Sequence, residues 1–93
     1  SPILDSINII QNDSIKASKQ FDDEYFDIVY IDASHEYEYV KQDIETWLPK
    51  VKTGGFLCGD DYHLTWKGVI DAVDEKFSDT KYIVGNTQWV YKK

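Results

Sequence analysis

Phe26-Asp27-Ile28-Val29-Tyr30-Ile31-Asp32-Ala33-Ser34-His35 decides how this chain is read. Apart from Asp27, Phe26 to Ile31 is apolar or aromatic and partly β-branched, as in a strand covered on both faces of a parallel sheet. The run stops at an acid, Asp32, and a histidine follows three residues later. Downstream, Val40, Ile44, Trp47, Leu48 and Val51 fall on one helical stripe. That spacing predicts a helix from about Tyr37 to Leu48, limited by Pro49. Thr53-Gly54-Gly55 then reads as a turn and Phe56-Leu57-Cys58-Gly59 as a short buried strand. This strand too ends in acid, at Asp60-Asp61.

Working outward, Ile7 to Ile10 is a β-branched run closed by Asn12-Asp13-Ser14, a turn and N-cap cluster. A short helix is expected from about Ile15 to Phe21, and Asp22-Asp23-Glu24 reads as a solvated turn. Val69, Val73 and Phe77, with Ala72 beside them, predict a third helix over Lys67 to Phe77. Tyr82-Ile83-Val84 and Trp89-Val90-Tyr91 flank Gly85-Asn86-Thr87-Gln88, an antiparallel hairpin pattern. Strands alternating with helices define an α/β class with a mostly parallel sheet, a C-terminal antiparallel hairpin and helices on the sheet faces. One domain over residues 1–93 is expected.

Composition limits the function classes. A formal net charge of −7 opposes a phosphate-tracking nucleic-acid surface and binding to an anionic membrane. No apolar run is long enough for a membrane span, and no signal-peptide pattern opens the chain. The single cysteine, Cys58, forms no intrachain disulfide, which points to a reducing, cytoplasmic setting. The chain begins at Ser1 and contains no Met, so it reads as a fragment or a processed product.

Parallel strands bring their carboxyl ends to one edge, where ligands of such sheets bind. Asp13, Asp32, Asp60 and Asp61 all follow strand ends and are expected on one rim. Carboxylates from neighbouring strands suit a hard cation such as Mg²⁺, although aspartates also follow strands as turn formers and caps. His35 is placed to act as a general base, or to cap the following helix. Asp13-Ser14 could hold a ligand base or amine, or serve as an N-cap. Gly54-Gly55 is too short for a phosphate cradle and precedes a strand. His63 and Cys58 lack zinc-site spacing.

The stretch Phe26 to His35, with Tyr37, Val40, Asp43, Trp47, Pro49, Gly54-Gly55, Asp60-Asp61-Tyr62, Gly68-Val69 and Ala72-Val73, resembles class I S-adenosylmethionine-dependent methyltransferases. More narrowly it resembles the methyltransferase domain 24 group, over about Ile7 to Trp89. The resemblance implies a partial Rossmann-like domain corresponding to the carboxyl-terminal half of that fold. It implies cofactor contacts from Asp13, Ser14 and Asp32, metal ligation by Asp32, Asp60 and Asp61, and a base at His35. The implied reaction is methyl transfer to the hydroxyl of a small molecule, with S-adenosylmethionine as cofactor and Mg²⁺ assisting. The family's first strand, glycine-rich loop and ribose-binding acid have no counterpart here, so the chain alone is expected to bind the cofactor weakly and to be inactive. Loss of the first strand also leaves one edge of Phe26–Ile31 needing a partner. The Ile7 strand, a second copy of the chain or a missing amino-terminal segment would each serve. A non-catalytic remnant used for assembly, or a different α/β protein such as a sugar-nucleotide enzyme fragment, are the competing readings.

Overall fold

The computed structural model describes residues 5–9, 14–32 and 34–93. Along the chain lie β1 (Ser6–Ile9), α1 (Ser14–Ser18), β2 (Phe26–Ile31), α2 (Tyr37–Trp47), β3 (Val51–Gly59), α3 (Lys67–Phe77), β4 (Lys81–Val84) and β5 (Gln88–Lys92). The strands form one mixed sheet in the order β1-β2-β3-β5-β4. β1 runs parallel to β2 and β2 parallel to β3, whereas β5 is antiparallel to both β3 and β4. The edge of β2 is thus paired by β1, with Ile7 opposite Val29 and Ile9 opposite Ile31. The Ile7 segment therefore occupies the vacancy beside Phe26–Ile31.

Strand pairing sorts the side chains into two faces. Ile9, Val29, Ile31, Leu57 and Trp89 share one face and are buried together with Val40, Ile44 and Trp47 of α2 and Val69, Ala72, Val73 and Phe77 of α3. Each of these larger side chains contributes roughly 1.5–3 kcal/mol when it leaves water. α1 packs on α2, and Phe21 just after it meets Phe26 edge-on at 4.8 Å between ring centroids. All three helices therefore gather on one side. Consecutive right-handed crossovers that step in one direction along a sheet give this arrangement. Ile28, Tyr30, Cys58 and Val90 lie on the opposite face and stay half-buried, while Phe56 is exposed.

Several boundaries differ from the sequence expectation, each for a local reason. β3 begins at Val51, not Phe56, because Val51 is fully buried and pairs with Phe26. The register shifts between Phe26 and Ile28, and Gly54 adopts φ +89° within the strand. Gly54-Gly55 is therefore a bulge inside β3 rather than a turn before it. Helix α2 ends at Trp47, and Pro49 sits in the 3₁₀ turn Leu48–Lys50 that follows. Glu24 is more than a solvated turn residue. It takes φ +57°, and its Oε1 accepts from the Thr53 backbone N–H at 2.9 Å. Lys93 Nζ lies 3.2 Å from its Oε2. The Thr53 N–H, and then Lys93, hold the Glu24 carboxyl below its ordinary value.

Gly59 is the tightest point of the sheet's carboxyl edge. A Cβ there would lie 2.7 Å from the Ile31 carbonyl oxygen and 2.7 Å from Trp89 Nε1. Neither the strand backbone nor the buried indole has room to retreat. Gly59→Ala is expected to destabilise the fold by about 1–3 kcal/mol, the usual cost of overpacking a close-fitted site. A urea unfolding curve of the variant should show a lowered midpoint; an unchanged midpoint would show that β3 and β5 can separate there without cost.

Candidate functional site

The rim is built where β2 and β3 end side by side. Ile31 stands opposite Gly59, so the next residues, Asp32 and Asp60, leave the sheet together. Asp32 is exposed, and its N–H donates to the Ile9 carbonyl at 2.8 Å, which ties the end of β2 to β1. Asp60 turns inward. Its Oδ1 accepts from Thr87 Oγ1 at 2.5 Å and from the Asp61 N–H at 2.7 Å. The Thr87 hydroxyl, and then the Asp61 amide, hold the Asp60 carboxyl below its ordinary value despite partial burial. Asp61 takes φ +64°, a left-handed conformation that aspartate accepts more readily than most residues. The chain reverses there.

That reversal aims Asp61 at His35, with 2.7 Å between Asp61 Oδ2 and His35 Nε2. Both side chains remain open to solvent, at 43% and 35% exposure for His35 and Asp61. The imidazole also lies flat on the Trp66 indole, with ring centroids 3.8 Å apart and an interplanar angle of 14°. Gly68 permits this contact. A Cβ on Gly68 would sit 2.7 Å from the His35 carbonyl oxygen and 2.8 Å from the Tyr37 nitrogen. Any larger residue would push the start of α3 away from the His35 segment.

The turn after Asp61 is clamped from two sides. The Tyr62 N–H donates to the Thr87 carbonyl at 2.9 Å. Tyr62 Oη donates to Asp74 Oδ1 at 2.6 Å, and Lys81 Nζ reaches the same carboxylate at 2.8 Å. The β4–β5 turn, opened by Gly85 at φ +65°, thus holds the acidic loop, while α3 holds its far side. Tyr30 on β2 also belongs to this rim. Burial, followed by the Asp60 charge, raises its phenol, so it stays neutral. Burial also raises the Cys58 thiol, which favours its neutral form, and its Sγ lies 3.6 Å from the Val29 carbonyl oxygen.

The structure thus brings together His35 with Asp61, and Asp60 with Thr87. Ser14 opens α1, and Asp13 lies outside the described residues. Thr87, Trp66 and Tyr30 were not among the residues singled out from sequence. Thr87 sits in a hairpin turn, where polar residues are common, and only pairing of β5 with β3 brings it to Asp60. The aspartate oxygens are the hard donors that Mg²⁺ takes. As folded, however, Asp61 faces His35 and Asp60 faces Thr87, and no three His, Cys, Asp or Glu side chains among the described residues are grouped to hold an ion. No helix among them is long and apolar enough to cross a membrane.

Residues 3–62 match the family model described as Methyltransferase domain. The chain belongs to this family. No curated protein matches the chain. Among solved structures, the O-methyltransferase NovP is similar at 23% identity with a TM-score of 0.62, over 75% of this chain and 30% of that one. The methyltransferase MycE from the mycinamycin biosynthetic pathway, solved with Mg, SAH and mycinamycin VI, is similar at 19% identity with a TM-score of 0.54. That match covers 84% of this chain and 28% of MycE. At these identities the likeness is one of fold. This methyltransferase-family chain spans less than a third of the length of either structure.

Removal of the Thr87 hydroxyl should release Asp60. In Thr87→Val the Asp60 carboxyl is expected to titrate at higher pH than in the parent, followed by its side-chain ¹³C shift. Because the folded value is depressed, the stabilisation from this bond is present above the unfolded carboxyl value near 3.9 and is lost as pH falls through the folded value. The variant should accordingly be less stable than the parent at neutral pH, with the difference shrinking as pH falls through the folded value. An unmoved Asp60 titration would mean that the Asp61 amide alone sets it.

Proposed function

We propose that the site belongs to an S-adenosylmethionine-dependent O-methyltransferase acting on the hydroxyl of a small molecule, with His35 as general base. The observation that carries this reading is the His35–Asp61 pair at 2.7 Å on the carboxyl edge of the sheet. With Nε2–H donated to the Asp61 carboxylate, the ring's other nitrogen, Nδ1, carries the lone pair. Asp61 then holds the tautomer and stabilises the imidazolium that forms, the role a carboxylate plays behind a catalytic histidine. The Trp66 ring limits rotation of the imidazole. His35 removes the proton from the acceptor hydroxyl as its oxygen attacks. S-adenosylmethionine, when bound, supplies the methyl group: a carbon–oxygen bond forms as the carbon–sulfur bond breaks. The rest is positioning on one line of approach.

Cofactor contacts from Asp13, Ser14 and Asp32 remain part of this proposal. So does Mg²⁺ on Asp32, Asp60 and Asp61, supported by the oxygen donor set. Such an ion would lower the acceptor hydroxyl's pKa, but Asp61 would have to leave His35 to ligate it. A cytoplasmic setting and self-association are carried on the same footing. Assembly without catalysis is the second reading, favoured by the uncovered sheet face that carries Phe56, Tyr82 and Val84, which are 38%, 66% and 50% exposed.

Calorimetric titration of S-adenosylmethionine, with and without Mg²⁺, separates these readings when this chain is joined to a glycine-rich cofactor-binding half. In that polypeptide His35→Gln is expected to lower the methyl-transfer rate by about 10²–10⁴-fold, the usual contribution of a general base, with cofactor affinity retained. Equal rates for parent and variant would remove His35 from the reaction. Absence of cofactor binding would favour assembly.

A further inference from the structure

A left-handed residue other than glycine keeps its conformation only where the surroundings fix it. Asp61, at φ +64°, is fixed from across the sheet by one residue, Thr87. Trp89, 1% exposed, stands opposite Gly59 in the antiparallel β3–β5 pair. Carried two residues further, that register sets Thr87 across from Asp61. The Thr87 hydroxyl donates to Asp60 Oδ1 at 2.5 Å, and the same oxygen accepts the Asp61 N–H at 2.7 Å. The Thr87 carbonyl accepts the Tyr62 N–H at 2.9 Å. Thr87 therefore grips the residues on both sides of Asp61, and its hydroxyl orients the oxygen that takes the Asp61 amide. Its own place is anchored by the buried indole two positions along the strand. Asp74 and Lys81 act at the phenol end of Tyr62, a full side chain away from that backbone.

We infer that Thr87 is a positioning residue for His35: by holding Asp60 and Tyr62 it fixes the left-handed turn that aims the Asp61 carboxylate at His35 Nε2, 2.7 Å away. His35 and Asp61 are 43% and 35% exposed, so water competes for both. An exposed pair of this kind holds a single geometry only at a cost in side-chain entropy, and a backbone already fixed in the aiming conformation lowers that cost. Without the Thr87 hydroxyl, Asp60 is free to rotate and the Asp61 N–H loses its acceptor. The turn then relaxes toward the right-handed or extended conformations that aspartate prefers, and the carboxylate swings off the imidazole. A threonine that merely closed the hairpin would behave differently: its loss would lower stability and leave His35 undisturbed. What the pair does once aimed rests on the methyltransferase reading; how it is aimed rests on the turn alone.

The test reads the two ring nitrogens of His35 by NMR in the ¹⁵N-labelled chain at one fixed pH. Asp61→Gly sets the scale, because glycine keeps the left-handed backbone without strain and removes the carboxylate. Thr87→Val is expected to move the His35 nitrogens part of the way toward their positions in Asp61→Gly. Thr87→Ser, which keeps the hydroxyl, should leave them as in the parent. The double variant should coincide with Asp61→Gly alone, since a residue that acts through Asp61 has nothing left to aim. Thr87→Ala, a smaller deletion of the same hydroxyl, gives the same reading should Thr87→Val lose its dispersed amide spectrum. Unmoved His35 nitrogens in a folded hydroxyl-deletion variant would overturn the inference. So would a Thr87→Ser shift equal to that of Thr87→Val, or a further full shift in the double variant. If the nitrogens move as expected while His35→Gln leaves methyl transfer intact, Thr87 still places the pair and the base assignment fails. If His35→Gln abolishes transfer while the nitrogens ignore Thr87, the base stands and the positioning role fails.

Discussion

Parallel pairing of β2 with β3, with Val29 opposite Leu57 and Ile31 opposite Gly59, sets where every functional side chain of the rim can stand. A slip of one residue would turn Val29 and Leu57 from the core to the open face. It would also separate Asp32 from Asp60. The register is held by burial, since Val29 and Leu57 are both wholly excluded from water. It is also held by the fit at Gly59, where only a missing side chain lets the Ile31 carbonyl and the Trp89 ring come so close. The same packing that builds the core therefore aligns the two strand ends that carry the acids.

Beyond the strand ends, the acidic loop is shaped by groups remote in sequence. Thr87 from the β4–β5 turn takes Asp60 by its hydroxyl and Tyr62 by its carbonyl, while Asp74 and Lys81 hold the Tyr62 phenol end. The left-handed turn at Asp61 directs that carboxylate to His35. Neighbouring aspartates consequently do different things: Asp60 is a structural acceptor with a depressed pKa, and Asp61 is the partner of an imidazole. Two adjacent acids given unlike environments can take unlike roles.

The sheet is covered by helices on one side and half-open on the other. Ile28, Tyr30, Phe56, Cys58 and Val90 occupy that second face, and their apolar character matches strands built for cover on both faces. β1 meets the need for a partner on the edge of β2, so β2 is paired on both sides even though no described helix covers the second sheet face. Edge pairing and face cover are separate requirements, met by hydrogen bonds and by apolar area respectively.

Much of this was legible in the residues. The apolar run Phe26–Ile31, the stripe Val40, Ile44 and Trp47, and the stripe Val69, Val73 and Phe77 determined one strand and two helices, because periodicity follows directly from backbone geometry. The acids after two strands determined that Asp32, Asp60 and Asp61 would share an edge, since parallel strands end together. Three features were decided only in the folded chain. Val51 left the helix stripe for β3 because its pairing with Phe26 buries it completely. The β1 segment chose β2 among several open partners, and nothing in four β-branched or polar residues names a neighbour. Asp60 and Asp61 parted, one to Thr87 and one to His35, because hydrogen-bond partners are set by distances through space, and local sequence carries no record of which turn will arrive beside it.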